Sequence, residues 1–304
     1  MSVDAPTLGF DRERIIGLSL VMLAGTFWST SGMFVRSMEE VDAWQLLFYR
    51  SISVVVAAGL YFAWRQRGRS FAVLRNEARL SLIGGFFLAV ASAGFVFALF
   101  YTTVANAVFM LAAGPFMTAI LAWFILKEPI RKATWITMCI AGFGVAYMVQ
   151  GGVEAGRWLG NVTALISVAG FACYAVTLRQ ASSRDSKRET MPVVIVGGLM
   201  TALFGAVMLE SFSVNLHDLL LCLLMGVVQI VLGMVLFLKG ASRVSAAELS
   251  LLSLTEVVLS PGWVWMFYGE VPETTTAIGG GLVMVAVLLR AVSGLRRRPT
   301  WRSV

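Results

Sequence analysis

Ten long apolar runs dominate this sequence and restrict the folds open to it. A helix needs about 20 mostly apolar residues to cross the hydrocarbon core of a bilayer. Of the 304 residues, 58% are apolar and 13% charged, whereas about a quarter are charged in a typical soluble domain. An all-α membrane protein with ten transmembrane helices is therefore predicted, and we number its spans in chain order. They lie roughly at 15–35, 44–64, 80–101, 104–126, 132–150, 160–178, 191–209, 217–238, 245–268 and 274–294.

Basic residues are distributed unevenly between the connections. With ten spans, alternate connections lie on the same side of the membrane. One set, together with the two chain ends, holds 21 of the 24 Lys and Arg residues; the other set holds Arg36 and Arg157, and Arg50 lies inside the second span. Because basic residues gather on the cytoplasmic side, both termini are predicted to be cytoplasmic. This asymmetry accounts for the net charge of +7 without a nucleic-acid partner.

Few side chains are suited to metal binding or covalent catalysis. Cys139, Cys173 and Cys222 lie within spans and lack the spacing of a metal site or disulfide framework, and His217 is the single histidine. There is also no Walker motif. We therefore predict no metal, no cofactor and no enzymatic activity. An intramembrane lipid-modifying enzyme is an alternative of another class that this inventory disfavours.

Two closing stretches of the sequence resemble each other. Residues 104–129 and 245–272 can be aligned so that Glu128 falls on Glu270, each at the end of an apolar run and just before a proline-containing turn. Each run also has a proline inside it. The similarity indicates an internal repeat.

A looser match upstream extends the repeat. Residues 24–36 resemble 168–179, with Arg36 over Arg179. Each half then has five spans, and since five is odd the second half is inverted in the membrane. Inverted repeats are usual in secondary transporters, whose substrate site lies near the midplane between the halves. The predicted segments are a cytoplasmic tail at 1–14, a first repeat at 15–150, an outer linker at 151–159, a second repeat at 160–295 and a basic cytoplasmic tail at 296–304.

This organisation resembles the EamA family of the drug/metabolite transporter superfamily. The matching elements are Trp28 in the first span, "FYR" at 48–50, and the closing motifs "AGPFMTAILAWFILKEP" and "LTEVVLSPGWVWMFYGEVP". The sequence departs from the pattern at Val257, where a proline would follow the glutamate; its proline is Pro261. The resemblance implies a transporter fold, alternating access and cytoplasmic termini. Family cargoes include amino acids, nucleosides and amines, so the cargo is not fixed.

Two charges inside spans are candidate substrate contacts. Glu256 lies near the middle of the ninth span, where an ionised side chain costs at least about 2.5–3.5 kcal/mol and usually has a function. Arg50 lies in the second span, roughly 9 Å from its outer end. If both face one cavity, they would suit a zwitterion. Alternatively, Glu256 joins helices as a protonated or paired acid, and Arg50 caps carbonyls or pairs with Glu256.

Uncharged polar and aromatic side chains complete the predicted site. Aromatic faces attract organic cations, and a proline frees the carbonyl four residues earlier, which makes a span bend more easily. The remaining predicted substrate-binding residues are Trp28, Tyr49, Tyr101, Asn106, Thr118, Gln229, Ser260 and Trp263. The predicted gating or coupling residues are Glu248, Pro115, Pro261, Glu128 and Glu270.

The sequence thus predicts a secondary transporter in the plasma membrane, specifically a bacterial inner membrane. Its partners would be the lipid bilayer and a small polar organic metabolite such as an amino acid, an amine or a similar zwitterion or cation. A multidrug or quaternary-amine exporter is the alternative if the cavity is acidic and aromatic. Proton coupling through Glu256, the direction of transport, and a monomeric or homodimeric state are left open.

Overall fold

The helical runs of the sequence are helices in the folded protein. The computed structural model describes residues 12–130, 132–184, 188–244, 248–249, 252 and 254–295, and within these ranges all regular secondary structure is helical. Nine helices or helix pairs in these ranges are long and apolar enough to cross a membrane. The predicted ninth span is described mainly over its last 15 residues. Residues 1–11 and 296–304 of the predicted tails lie outside the described ranges.

Helix bounds follow the predicted spans closely. The first five spans are α1 (Arg12–Ser29) with α2 (Ser31–Ser37), α3 (Ala43–Gln66), α5 (Ala78–Tyr101), α6 (Val104–Ala112) with α7 (Gly114–Leu126), and α8 (Lys132–Glu154); a short α4 (Ser70–Asn76) precedes α5. The last five are α9 (Trp158–Arg184), α10 (Met191–Met208), α11 (Leu216–Leu224) with the π-helix π1 (Met225–Leu232) and α12 (Gly233–Ala241), α13 (Leu254–Tyr268), and α14 (Thr274–Leu295).

Ion pairs sort the connections into two ends of the bundle. Arg188 contacts Glu77, and Arg65 contacts Glu189, so the connection after the second span and the connection after the sixth lie at the same end. We call this the basic end. Its other ion pairs are Arg14–Glu248, Arg243–Glu13 and Arg179–Glu128. The opposite end holds Arg36–Glu270 and Arg157–Glu273.

The spans pack in a regular pattern. The first span contacts the eighth and ninth, and the sixth contacts the third and fourth. The second span packs on the seventh, and the fifth packs on the tenth. Adding or subtracting five converts the first pair of contacts into the second pair and leaves the last two unchanged. An inverted repeat would generate this pattern.

Small residues bring the fifth and tenth spans together. A methyl group on Gly144 would lie 2.5 Å from the carbonyl oxygen of Gly279, and a methyl group on Gly279 would lie 2.5 Å from the carbonyl oxygen of Gly144. Lipid tails are as apolar as leucine, so membrane helices associate through close packing of this kind. The two glycines therefore fix how near α8 and α14 can approach.

A buried acid organises the opposite end. Asp218, in the first turn of α11, has no exposed surface, and its carboxylate accepts the backbone N–H groups of Glu39, Glu40 and Val41 at 2.9–3.3 Å. Its own backbone N–H is capped by the Asn215 side chain at 2.7 Å. Charge-assisted hydrogen bonds of this kind are roughly twice as strong as neutral ones. They hold the connection between the first two spans against the start of the eighth.

The glycine contact can be tested with a matched pair of alanine variants on one helix. Gly144→Ala is expected to lower the free energy of unfolding by about 1–3 kcal/mol, because its methyl group overpacks a backbone contact. Gly142→Ala is the control, since a methyl group there meets no atom within 4 Å. Thermal unfolding in detergent measures both variants. Equal midpoints for the two variants would contradict the close-packing interpretation.

Candidate functional site

The first and ninth spans run parallel in one register. Arg14 donates to Glu248 at the basic end, Arg36 donates to Glu270 at the opposite end, and the two partners of each pair are 234 residues apart in sequence. Halfway between these ends, the Trp263 indole N–H donates to the Ser29 hydroxyl at 2.9 Å, again across 234 residues. Sequences far apart in the chain thus form one continuous seam.

Glu256 lies in this seam near its midpoint. A methyl group on Gly25 would approach the backbone nitrogen of Glu256 at 3.7 Å and the Cβ of Thr255 at 3.3 Å, so Gly25 leaves room for the ninth span to pack closely. Glu256, Ser260 and Trp263 are four and three residues apart, which puts them on one face of α13. Since Trp263 contacts Ser29, this face is directed at the first span.

The first span is interrupted beside Glu256. Helix α1 ends at Ser29 and α2 begins at Ser31, with Thr30 in a turn between them. The Gln229 side-chain amide donates to the free Trp28 carbonyl at 3.0 Å. Gln229 belongs to π1, and π-helical turns inside α-helices are frequent at functional sites. The predicted polar residues Trp28, Gln229, Ser260, Trp263 and Glu256 therefore meet, and we call them, with Gly25 and Ser29, the central seam.

Several polar groups of the central region have no protein partner. Within the described ranges, Glu256 forms no ion pair or hydrogen bond through its side chain. The hydroxyl oxygens of Ser260 and Ser31 are buried and likewise have no partner among the described residues. Buried polar groups are nearly always satisfied in folded proteins. This group of three is therefore suited to contacting a bound solute or water.

Arg50 and Glu256 do not pair with each other. Arg50 is only 3% exposed, donates to the Ser92 hydroxyl, and its Nε atom has no hydrogen-bond partner among the described residues. Gly226 packs so closely on α3 that a methyl group there would lie 2.5 Å from the Arg50 carbonyl oxygen. The guanidinium therefore ties the second span to the third. The interpretation of Arg50 and Glu256 as a mutual ion pair is wrong.

Four predicted substrate contacts make their described hydrogen bonds or ring contacts away from the central seam. Tyr49 donates its hydroxyl to the Phe212 carbonyl at 2.6 Å in the connection before the eighth span. Tyr101 is 45% exposed at the opposite end. The Asn106 side-chain amide donates to Thr102 and Asn161. The Thr118 hydroxyl donates to the Gly114 carbonyl of its own helix at 2.9 Å. These contacts explain each side chain without a substrate.

The two prolines have different local structures. The fourth span breaks at Ala113, so Pro115 occupies the first turn of α7, where its missing N–H leaves no helical bond unmade. Pro261 lies inside the continuous helix α13. The fourth span is thus a broken helix, as predicted for a bending point, but the break falls at Ala113 and precedes the proline.

The predicted gating acids all form ion pairs. Glu270 binds Arg36 at 2.7 Å, and Glu128 binds Arg179 at 2.8 Å at the other end. The aligned positions of the two proposed repeats thus form two cross-repeat pairs. Glu248 binds Arg14 at the basic end.

The Arg36–Glu270 pair borders a depression of about 440 Å³ at the opposite end. Phe100, Tyr101 and Arg157 also line it. It lies outside the pair, on the surface of the bundle, and is separate from the central seam.

Sequence reasoning missed several residues that the fold uses. Asp218 was hidden by its position at a helix start, although an asparagine three residues earlier is a typical capping signal. Arg290 was counted as a cytoplasmic charge, yet it donates to the Pro115 carbonyl at 2.7 Å and covers the Phe116 ring. Ser29 and Asn161 give no sequence signal, since their roles arise only from contacts with distant segments.

Comparison with known proteins adds a family to this geometry. The sequence profile of the EamA-like transporter family matches residues 15–150 and 158–291. The pseudopaline exporter CntI of Pseudomonas aeruginosa is 26% identical over 275 residues, which cover 90% of this chain and 94% of the relative. An uncharacterized transporter of Clostridium kluyveri is 22% identical over 294 residues, covering 90% and 92%.

A solved structure has the same fold. It superposes with a TM-score of 0.64 at 19% identity, covering 96% of this chain and 99% of the other, and its title names only a protein. The fold, the two matched segments and the relatives agree. The chain belongs to the EamA-like transporter family.

Proposed function

We propose that this protein is a secondary transporter that moves a small polar organic solute across a bacterial inner membrane by alternating access. The observation that carries the proposal is the central seam, where Glu256 and two unpartnered serine hydroxyls meet a broken helix inside a family of transporters. Broken helices near the midplane commonly form the substrate sites of secondary transporters. Two inverted five-span repeats with cytoplasmic termini at the basic end belong to the same proposal.

The chemistry of the seam favours a solute that carries a positive group. Glu256 is the one acid of the seam, and the Trp28 and Trp263 rings lie one to two turns from it along their helices. A carboxylate attracts an ammonium group, and aromatic faces attract cations when water is excluded. An amine or an amino-acid-like zwitterion fits this set best.

The relative from Pseudomonas aeruginosa supports outward transport. It is an exporter whose substrate is the small molecule pseudopaline, and it matches this chain over nearly its full length. We therefore propose export as the direction. A multidrug or quaternary-amine exporter is the second candidate, because the two indoles beside Glu256 would also receive a permanently cationic group.

A two-stage assay tests the proposal. Thermal unfolding of the purified protein is first measured with pseudopaline and with panels of amino acids, amines, quaternary ammonium compounds and nucleosides. Compounds that raise the midpoint are then tested for counterflow in proteoliposomes. Counterflow of an amine or zwitterion is expected. If no compound shifts the midpoint or exchanges across the membrane, the transport proposal fails.

Replacing Glu256 tests the acid at the seam. Glu256→Gln is expected to lower the initial counterflow rate of a cationic solute about 30-fold or more, because losing a buried charge contact costs roughly 2–5 kcal/mol. Glu210→Gln is the matched control, since Glu210 is an exposed acid in a connection at the opposite end. An equal rate for the Glu256 variant and its control would remove this acid from the mechanism.

Replacing Arg50 separates two roles for the buried guanidinium. If it also binds a substrate carboxylate, Arg50→Lys should raise the half-saturation concentration of a zwitterion about tenfold, because a single ammonium cannot reproduce the planar fork. A monoamine without a carboxylate serves as the matched solute and should be unaffected. A lower unfolding midpoint with unchanged half-saturation would instead restrict Arg50 to its tie with Ser92.

A further inference from the structure

Two ion pairs occupy corresponding places at the two ends of the bundle. Arg36 ends the first span and binds Glu270, which follows the ninth; Arg179 lies near the end of the sixth span and binds Glu128, which follows the fourth. In the repeat alignment Arg36 corresponds to Arg179, and Glu270 corresponds to Glu128. Each pair therefore joins the first half of the chain to the second, and the pairs exchange places under the proposed inverted symmetry.

The pair at the opposite end also binds a turn of the backbone. Arg36 donates to the carbonyl oxygens of Leu99 at 2.9 Å and Thr102 at 3.2 Å. The second carboxylate oxygen of Glu270 accepts the Val104 N–H at 2.7 Å. All of these backbone groups belong to the turn between the third and fourth spans. One ion pair thus draws the ends of four spans together over the central seam.

The pair at the basic end lacks an equivalent hold. Among the described residues, Glu128 is the ion-pair partner of Arg179, and no described backbone carbonyl accepts from this arginine. The corresponding turn follows the eighth span, and its Arg243 binds Glu13 of the first span and the Lys239 carbonyl instead.

Exposure differs in the same sense. The Arg36 and Glu270 side chains are 26% and 21% exposed, whereas the Arg179 and Glu128 side chains are 59% and 40% exposed. An ion pair that is shielded from water and shares its charges with backbone groups contributes more than a solvated pair. The two ends are therefore closed to different extents.

We propose that the two pairs are alternating latches. Arg36–Glu270 closes the opposite end by holding the turn at 99–104, and Arg179–Glu128 closes the basic end by holding the turn after the eighth span when the first latch releases. The described conformation has the first latch engaged and the second waiting. This inference rests on the proposed transport function, and it names the groups that set which end is shut.

The latch can be tested without a transported solute. Ser31 lies just inside the Arg36 latch, is fully buried and is the reporter position. Ser31→Cys is made in a protein whose three native cysteines are replaced by alanine, and its reaction with a membrane-impermeant thiol reagent is measured from the side of the opposite end. Arg36→Gln should raise the reaction rate about tenfold, as expected when a coupling of typical size is removed.

Two further variants make the test specific. Arg157→Gln is the matched control, because Arg157 pairs with Glu273 at the same end within the second half of the chain, and it should leave the rate unchanged. Arg179→Gln weakens the competing latch, so adding it to Arg36→Gln should return the rate toward that of the parent. A merely loosened structure would not respond in this way. If Arg36→Gln does not insert, Glu270→Gln replaces it with the same expected increase.

The outcomes separate the latch from the transport proposal. An unchanged rate in both Arg36→Gln and Glu270→Gln, an increase equal to that of Arg157→Gln, or no reversal by Arg179→Gln would each overturn the latch. Absence of counterflow together with the expected labelling pattern would instead reject transport and leave two ends that close in alternation.

Discussion

The structure depends on keeping polar groups away from lipid in a chain made mostly of apolar residues. A bilayer core offers no hydrogen bonds, so each polar group within a span must meet protein or enclosed water. The parallel contact between the first and ninth spans satisfies this constraint. Ion pairs fix its two ends, the Trp263–Ser29 hydrogen bond fixes its middle, and Gly25 lets the helices approach closely enough to enclose Glu256.

The same constraint connects the site to movement. A break in the first span frees the Trp28 carbonyl, and Gln229 binds it from a π-helical stretch of the eighth. Irregular backbone in two neighbouring spans is easier to rearrange than continuous α-helix, since fewer helical bonds must change. In the mechanism we propose, solute binding at the seam alters these contacts, and the ion pairs at the two ends decide which side is open.

The sequence was sufficient to predict the helices but not most of the site. Span positions follow from runs of apolar residues, which are local, and the structure begins and ends its helices within a few residues of the predictions. The distribution of Lys and Arg separated the connections into the same two groups that the ion pairs join. The closing motifs and Trp28 led to the family that the comparison shows.

Contacts between distant segments account for the errors. Glu256, Gln229 and Trp263 could be selected as polar or aromatic residues in apolar spans, and they do meet. Tyr49 and Thr118 were selected on the same grounds, but their hydroxyls bind nearby carbonyls, and only the folded register separates the two cases. Asp218 was missed because the three N–H groups that it binds lie nearly 180 residues earlier in the chain.

Movement of the two ends in opposite senses is the central claim, and paired distance measurements test it most directly. Spin labels at Glu40 and Val271 report the opposite end, and labels at Arg67 and Ser183 report the basic end; all four positions are exposed. In proteoliposomes, saturating concentrations of a counterflow-active solute should lengthen the first distance and shorten the second. Two distances that change in the same sense, or that both stay constant, would contradict alternating access through this seam.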